Sequence, residues 1–275
     1  MRTAGITACS DGLSEDSREE NESLIRFLEG TGCSVAVSSC LYQKNGPYSG
    51  SGPERAAELM KLFLNPNVTD IYDISGGDLA NEILDYLDFD KIRDSKATFW
   101  GYSDLTAVIN AIYAQTGKSS LLYSARNLVR GDFQKMQRQR FLRGDALFAP
   151  HFTMVQGTSM KGIVVGGNLR CFLKLAGTRY FPDLEDKLLL LEARSGRVPQ
   201  MAACLSQLRS MGAFEKVRGV LLGTFSQMEK EKCEPSILPL LQAAAGTEIP
   251  IAKTTEIGHG GDSKAIRIGE EIQIP

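Results

Sequence analysis

A serine stands where an apolar, aromatic run gives way to a helical pattern. The run "ATFWGY" is joined to "DLTAVINAIYAQTG" through Gly101-Tyr102-Ser103-Asp104. Serine is a favoured helix N-cap, so the Ser103 hydroxyl is expected either to cap this helix or to act as a nucleophile. Gly101 permits a sharp turn, and strand-to-helix turns at the carboxyl edge of a parallel sheet are where ligands bind. Both interpretations stay open on these residues.

A serine nucleophile needs a base, and the chain contains two histidines. His259 lies in "EIGHGGDS", where the neighbouring glycines let the backbone present an imidazole to a cleft. His151 follows a proline in "FAPHFTM" and is expected to pack or to lie on the surface. Among the acids, Glu192 follows the run "LLLL" at the end of a predicted strand. It is either a solvated residue at the strand end or a functional carboxylate. Cys9, after the first predicted strand, is a further candidate nucleophile.

The elements that must position these residues alternate in the first half of the chain. The predicted strands are "TAGITACS", "CSVAVSSCL", "VTDIYDIS" and "ATFWGY". The predicted helices are "EENESLIRFLEGTG", "ERAAELMKLFL", "LANEILDYLD" and "DLTAVINAIYAQTG". Because strands and helices take turns, we predict an α/β fold with a parallel-sheet domain over residues 1–145.

The second half contains shorter strands and predicts a smaller, mixed α/β domain over residues 160–275. Its predicted strands are "KGIVVGGNL", "KLLLLEA" and "VRGVLLGTF". "PQMAACLSQLRSMGAF" is expected to be a helix, and "KAIRIGEEIQI" a hairpin through Gly269 and Glu270. Residues near 145–160 are expected to link the two domains.

Composition narrows the class of protein. The chain has 275 residues, 43% of them apolar, and a formal net charge of −2, which gives no reason to expect nucleic acid or an acidic membrane as partner. The N-terminal stretch lacks the apolar run of a signal peptide, so we expect a cytoplasmic protein. None of the six cysteines forms a CxxC pair, so we expect no metal site and no cofactor.

One segment, residues 126–143, is locally basic. Asp132 is the only acidic residue in this segment. Its basic residues are Arg126, Arg130, Lys135, Arg138, Arg140 and Arg143. The segment is either a solvated surface near the joint between domains or an anion-attracting rim over a cleft.

The order of these blocks resembles the LD-carboxypeptidase family of serine peptidases. Gly101-Tyr102-Ser103-Asp104 and its helix are followed by "GIVVGGNL", "GTRYFPDLEDKLLLLEA", "QLRSMGAFEKVRGVLLGTF" and "GHG". The family cleaves the bond between an L-centre and a terminal D-alanine in cytoplasmic muropeptides, and it includes the microcin C self-immunity hydrolases. The resemblance covers nearly the whole chain.

The resemblance implies roles for five residues. Ser103 would be the nucleophile, Glu192 the acid and His259 the base. The oxyanion donors would be the backbone N–H groups of Asp104 and Gly77. It also implies a flavodoxin-like N-terminal domain, an active site between the domains, a muropeptide or other small peptide substrate, a homodimer and no metal.

Two segments depart from the family pattern. Glu192 is followed by Ala193-Arg194-Ser195-Gly196-Arg197-Val198-Pro199, in a region expected to shape the substrate pocket. Ser75-Gly76-Gly77-Asp78 lacks the Arg-Gly-Gly-Tyr-Gly pattern of typical muropeptide enzymes and is closer to the microcin-immunity branch. The alternatives are therefore an amide hydrolase of acylated aminoacyl-nucleotides and a non-catalytic α/β ligand-binding protein. For a terminal carboxylate of the substrate, Arg126 and Arg130 are candidate partners.

Overall fold

The computed structural model describes residues 2–144 and 146–275, and within them two six-stranded sheets form. The strands are β1 Thr3–Thr7, β2 Ser34–Val37, β3 Val68–Asp73, β4 Thr98–Gly101, β5 Ser120–Leu122, β6 Thr153–Gln156, β7 Met160–Asn168, β8 Lys187–Ala193, β9 Gly219–Phe225, β10 Ile251–Lys253, β11 Ile266–Ile268 and β12 Glu271–Ile274.

Helices cover the faces of both sheets. The α-helices are α1 Arg18–Glu29, α2 Gly52–Leu64, α3 Phe89–Asp94, α4 Thr106–Thr116, α5 Gln134–Arg143, α6 Leu169–Leu173, α7 Val198–Ser210, α8 Ala213–Lys216, α9 Ser226–Lys230 and α10 Ile237–Ala245. Shorter 3₁₀-helices cover Glu15–Ser17, Ala80–Tyr86, Ser103–Leu105 and Ala125–Leu128. No helix in the described ranges is long and apolar enough to cross a bilayer.

The first sheet has the strand order β11-β5-β4-β3-β1-β2. Strands β1 to β5 run parallel, in the flavodoxin-like order 2-1-3-4-5, and only β11 is antiparallel to its neighbour β5. The predicted flavodoxin-like parallel sheet is therefore confirmed.

Both faces of this sheet are buried, which explains the almost continuous apolar runs of its strands. Ile71 and Phe99 point into a core that includes Leu59 of α2 and Val108 of α4. The next residues of the same strands, Tyr72 and Trp100, point to the opposite face, where Leu24 and Leu28 of α1 pack. Side chains that alternate across a strand thus fill two separate cores.

The second sheet has the order β12-β7-β8-β9-β10-β6. Strands β7 to β10 are parallel, and the edge strands β12 and β6 are antiparallel to their neighbours. This agrees with the predicted mixed α/β unit, although it has as many strands as the first. The central strand β8 carries the fully buried run Leu188 to Leu191.

The predicted C-terminal hairpin is wrong. Strand β11 pairs with β5 of the first sheet, whereas β12 pairs with β7 of the second sheet. Gly269, at φ +91°, lies in the short connection where the chain passes from one sheet to the other. An alternating apolar pattern suits any edge strand, so it could not distinguish a hairpin from two strands in different sheets.

Two smaller expectations also change. The predicted linker near 145–160 contains β6, which pairs with β10 at the edge of the second sheet. The segment predicted as a helix at "LANEILDYLD" is a 3₁₀-helix over Ala80–Tyr86. The domain bounds 1–145 and 160–275 stay a prediction, and residues 1 and 145 lie outside the described residues.

Helix α4 joins the two sheets. Its Asn110 side chain donates to the Gly166 carbonyl oxygen at 2.9 Å and accepts from the Gly166 N–H at 2.8 Å. One turn earlier, Thr106 Oγ1 accepts from the backbone N–H of Asn168 at 3.0 Å. The helix that follows Ser103 is therefore fixed in register against β7.

Candidate active site

Ser103 lies two residues beyond the end of β4 and opens the 3₁₀-helix that leads into α4. Its φ is +55°, in the left-handed region, which costs a non-glycine residue about 1–2 kcal/mol. No side-chain capping bond is present at the start of this 3₁₀-helix or of α4. Ser103 is thus held in a strained backbone conformation, and its hydroxyl does not cap the helix.

The turn needs the glycine that precedes the serine. A Cβ at Gly101 would lie 2.6 Å from the Cβ of Leu105, closer than side chains can approach. The sharp turn expected from the sequence at Gly101 is therefore present, and it lets the new helix fold back tightly under Ser103.

His259 and Glu192 are in direct contact. His259 Nδ1 lies 2.8 Å from Glu192 Oε2, and the carboxylate is fully buried at the end of β8. In a neutral imidazole that donates from Nδ1 to this carboxylate, Nε2 carries the free lone pair. Nε2 is buried and has no hydrogen-bond partner among the described residues. Buried polar atoms are nearly always paired, so this nitrogen marks a site for an incoming group.

Asn168 completes the surroundings of the acid. Its Nδ2 donates to Glu192 Oε1 at 3.0 Å, so each oxygen of the buried carboxylate has a partner. The ring of Tyr102 lies edge-on to His259, with ring centroids 4.8 Å apart. Burial, and then the Glu192 carboxylate, raise the pKa of Tyr102 well above its usual value. Tyr102 therefore stays a neutral phenol that helps to shield the acid from water.

The Asp104 carboxylate connects the turn after Ser103 to three other segments. It is fully buried; Oδ2 accepts from Ser10 Oγ at 2.7 Å and from the Ala80 N–H at 2.8 Å. Oδ1 accepts from Lys174 Nζ at 2.5 Å. Lys174 also donates to the Asp78 carbonyl oxygen at 2.7 Å. One carboxylate therefore connects the Ser103 turn, the segment after β1, the segment after β3 and the segment after α6.

Gly77 lies in the turn after β3, at φ +131°. A Cβ at this position would fall 2.1 Å from Cγ of Asp11, so only glycine fits. The turn is fixed by the Asp78 N–H, which donates to Asp11 Oδ1 at 2.9 Å. Gly77 and Asp104 are thus held in one hydrogen-bonded assembly.

A cavity of about 870 Å³ opens beside these residues. Ser103, His259 and Gly77 line it, whereas Glu192 and Asp104 lie buried behind the lining. In the described structure His259 Nε2 makes no hydrogen bond to Ser103. Catalytic hydrogen bonds are often long without substrate, so Ser103 remains the candidate nucleophile although this bond is absent.

The remaining candidates lie apart from this cavity or lack reactivity. His151 is exposed, does not line the cavity, and its backbone N–H donates to Glu256 Oε2. Cys9 is fully buried, and burial together with the Asp73 carboxylate raises the pKa of its thiol well above the usual value. Cys9 therefore stays a protonated thiol, unsuited to nucleophilic attack.

Two residues at the site were not predicted. Asn168 pairs in register with Glu192 on the neighbouring strand, and its signal was a polar residue at the end of a buried strand. Lys174 follows α6, and nothing in its sequence surroundings pointed to Asp104. Across the part of the chain that the structure describes, no group of three or more His, Cys, Asp or Glu side chains could hold a metal ion.

Comparison with known proteins identifies the family of both halves of the chain. The model of the LD-carboxypeptidase N-terminal domain matches residues 4–123, and that of the C-terminal domain matches residues 161–274. "Probable murein peptide carboxypeptidase" of Bacillus subtilis (strain 168) is 27% identical, over 92% of this chain and 83% of its own length. Microcin C7 self-immunity protein MccF of Escherichia coli is 25% identical, over 91% of this chain and 83% of its own.

A solved structure shows the same fold. Muramoyltetrapeptide carboxypeptidase from Oxalobacter formigenes superposes with a TM-score of 0.83, at 22% identity, over 98% of this chain and 94% of that one. The two matched domain models together cover most of the chain, in the expected order. The chain therefore belongs to the LD-carboxypeptidase family.

Proposed function

We propose that this protein is a serine LD-carboxypeptidase that removes terminal D-alanine from muropeptide tetrapeptides. The observation that carries the proposal is the orientation of His259. A buried carboxylate binds its Nδ1, while its unpartnered Nε2 belongs to a residue that lines the same cavity as Ser103. This is the arrangement that a general base for a serine nucleophile requires.

The proposed reaction begins when Ser103 Oγ attacks the carbonyl carbon and its proton passes to His259 Nε2. Glu192 stabilises the imidazolium that forms, and the carbonyl electron pair moves to the oxygen. When the C–N bond breaks, His259 returns the proton to the amine of the departing D-alanine. Water then attacks the acyl-enzyme by the same route, which releases the shortened peptide and restores Ser103.

The backbone N–H groups of Asp104 and Gly77 are the proposed oxyanion donors. Asp104 lies in the first turn after the nucleophile, and Gly77 lies in the neighbouring turn at the cavity wall. The Asp104 carboxylate links the two turns through the Ala80 N–H, so both donors are held before substrate arrives. Preorganised donors of this kind are commonly the largest contribution to catalysis.

A second candidate function is hydrolysis of an acylated aminoacyl-nucleotide. It is favoured by the turn Ser75-Gly76-Gly77-Asp78, which lines the cavity up to Gly77 and departs from the muropeptide-enzyme pattern. A role in peptidoglycan recycling, a cytoplasmic location and a homodimer accompany the lead proposal as predictions.

The test is to incubate purified protein separately with an L,D-linked tetrapeptide, its all-L counterpart and an aminoacyl-nucleotide conjugate, and to follow products by mass. We expect D-alanine from the first only, and an unchanged rate after prolonged chelator treatment. Inverting the leaving residue displaces its carboxylate, and small misplacements of bound substrate cost large factors in rate. Cleavage of the nucleotide conjugate alone moves the assignment to the second candidate. No cleavage of any of the three favours the non-catalytic binding protein.

A further inference from the structure

Two basic residues of the segment 126–143 line the cavity that contains Ser103. They are Arg126, in the 3₁₀-helix after β5, and Arg130. The other basic residues of the segment do not line it; Arg138 donates to the Leu128 carbonyl oxygen and Arg140 to that of Asp262. Of the basic groups in this segment, only two guanidinium groups therefore lie at the cavity.

A single carboxylate holds this pair. Arg126 Nε donates to Glu20 Oε1 and Arg130 Nε donates to Glu20 Oε2, each at 3.0 Å. Glu20 belongs to α1, and its side chain and that of Arg126 are only 22% and 20% exposed. Both oxygens of Glu20 are used, so the two guanidinium groups lie beside one another before any ligand binds, Arg126 mostly buried and Arg130 53% exposed.

The pair keeps donors for a ligand. Each guanidinium carries five N–H donors, and each spends only its Nε–H on Glu20. Among the described residues, none accepts a hydrogen bond from the Nη groups of Arg126 or Arg130. The two arginines and Glu20 together bear one net positive charge, which one carboxylate would neutralise.

We propose that Arg126 and Arg130, positioned by Glu20, receive the terminal carboxylate of the peptide substrate; this rests on the proposed carboxypeptidase function. Planar guanidinium groups match a carboxylate with paired, charge-assisted hydrogen bonds. Glu20 also lines the cavity, but both its oxygens accept from the arginines, so we assign it as a positioning residue that sets the spacing of the two groups. The pair thereby makes the site select the free end of a peptide.

A third cavity arginine, Arg194, is the competing partner. It lines the cavity from the C-terminal side, two residues after Glu192, and its side chain is exposed. No described residue forms an ion pair with it. A free, exposed side chain must be ordered on binding, whereas the pair held by Glu20 has already lost that freedom. Asp11 and Asp16 also line the cavity and repel a carboxylate from their part of it.

The test compares two substrates, the tetrapeptide with a free terminal carboxylate and the same peptide as its C-terminal amide. We expect R126Q and R130Q to lower kcat/KM for the acid about 10- to 100-fold, as loss of a charge-assisted hydrogen bond implies. The amide is expected to change less than about threefold, so the acid-to-amide preference collapses. E20Q is expected to keep part of the acid-to-amide preference, because both arginines remain but lose the carboxylate that positions them. R143Q, with the same charge change on an exposed arginine outside the cavity, leaves it unaltered.

An acid-to-amide preference that survives R126Q and R130Q overturns the inference, and so does a collapse produced by R194Q instead. If the wild-type protein cleaves neither peptide, the proposed function fails separately. Titration of the S103A protein with the acid and the amide then decides the inference, because equal affinities for both peptides contradict it and a preference abolished by R126Q supports it.

Discussion

Asn168 and Glu192 face each other on neighbouring parallel strands, and Asn168 Nδ2 donates to Glu192 Oε1 at 3.0 Å. The same asparagine donates its backbone N–H to Thr106 Oγ1 in helix α4. Because α4 follows Ser103 and Glu192 binds His259, one residue of the second sheet joins the helix of the proposed nucleophile to the proposed acid and base.

Replacing Asn168 with alanine is expected to lower kcat about 10- to 100-fold, because Oε1 of a buried carboxylate loses its partner. N168D is expected to be worse, since it places a second carboxylate against Glu192. Steady-state kinetics and unfolding in urea would separate activity from stability. N110A is the matched control, since Asn110 also bonds α4 to β7 but does not contact Glu192. Equal loss of kcat in N110A would mean that packing between the sheets, and not Glu192, is responsible.

Ser103→Ala and Ser103→Gly are both expected to abolish hydrolysis, because each removes the proposed attacking oxygen. Their stabilities should differ. Alanine keeps a Cβ at φ +55°, whereas glycine relieves the strain, so S103G should be more stable than S103A by about 1 kcal/mol. Urea midpoints measure this difference. Substantial activity in folded S103A would remove the serine mechanism altogether.

The two histidines offer a direct comparison. His259→Ala should abolish hydrolysis as fully as loss of Ser103, because members of a triad act as a unit. His151→Ala should change kcat/KM less than about threefold, since its side chain is exposed and outside the cavity. Progress curves with the same tetrapeptide measure both variants. The reverse order of effects would transfer the role of base to His151.

Asp104→Asn is expected to lower both kcat and stability. The variant deprives the mostly buried Lys174 ammonium of its fully buried charged partner and leaves it only the exposed Asp78 carboxylate at 3.4 Å, which costs at most about 3 kcal/mol. K174M in the D104N background should recover much of that loss, because the unpaired charge is then removed. Urea unfolding of both single variants and the double variant gives the coupling. If the changes in unfolding free energy of D104N and K174M simply add, the Asp104–Lys174 ion pair contributes no interaction energy.

Glu58 should make stability depend on pH. Burial alone would raise its pKa, but hydrogen bonds from Lys61 and from the Ser39 N–H outweigh burial and hold the pKa at about 2. A carboxyl whose pKa is lowered by folding stabilises the protein above its unfolded pKa of about 4.5, and that stabilisation fades as pH falls toward 2. The wild type should therefore exceed E58Q in stability at pH 7, by a margin that shrinks between pH 4.5 and 3. A margin that stays constant over this range would contradict the lowered pKa.

Much of the site could be predicted because it lies at strand ends. Ser103 follows β4 of the first sheet and Glu192 lies at the end of β8 in the second, and ligands bind at the carboxyl ends of strands in parallel sheets. The parallel direction of strands β1 to β5 likewise follows from the alternation of strands and helices. These features depend on neighbours in sequence, which patterns describe well.

The unpredicted features depend on residues far apart in the chain. The contact of Asp104 with Lys174 spans seventy positions and exists only once α6 is packed. Arg126 and Arg130 were named as candidate carboxylate partners, but their shared contact with Glu20, 106 and 110 positions away, was not predicted. The destination of β11 was missed because its alternating pattern suits the edge of either sheet.

The pairing of β11 with β5 bears on how the nascent chain folds. The first sheet has its other strands as soon as β5 is made, but its last strand is translated only after most of the second half. At about 5–20 residues per second, β5 remains an open edge for many seconds, available to other chains. Arrival of Ile266–Ile268 closes that edge, and β12 then joins the second sheet a few residues later. Ribosome-bound intermediates thus lack a finished first sheet, and completion of both sheets is nearly simultaneous.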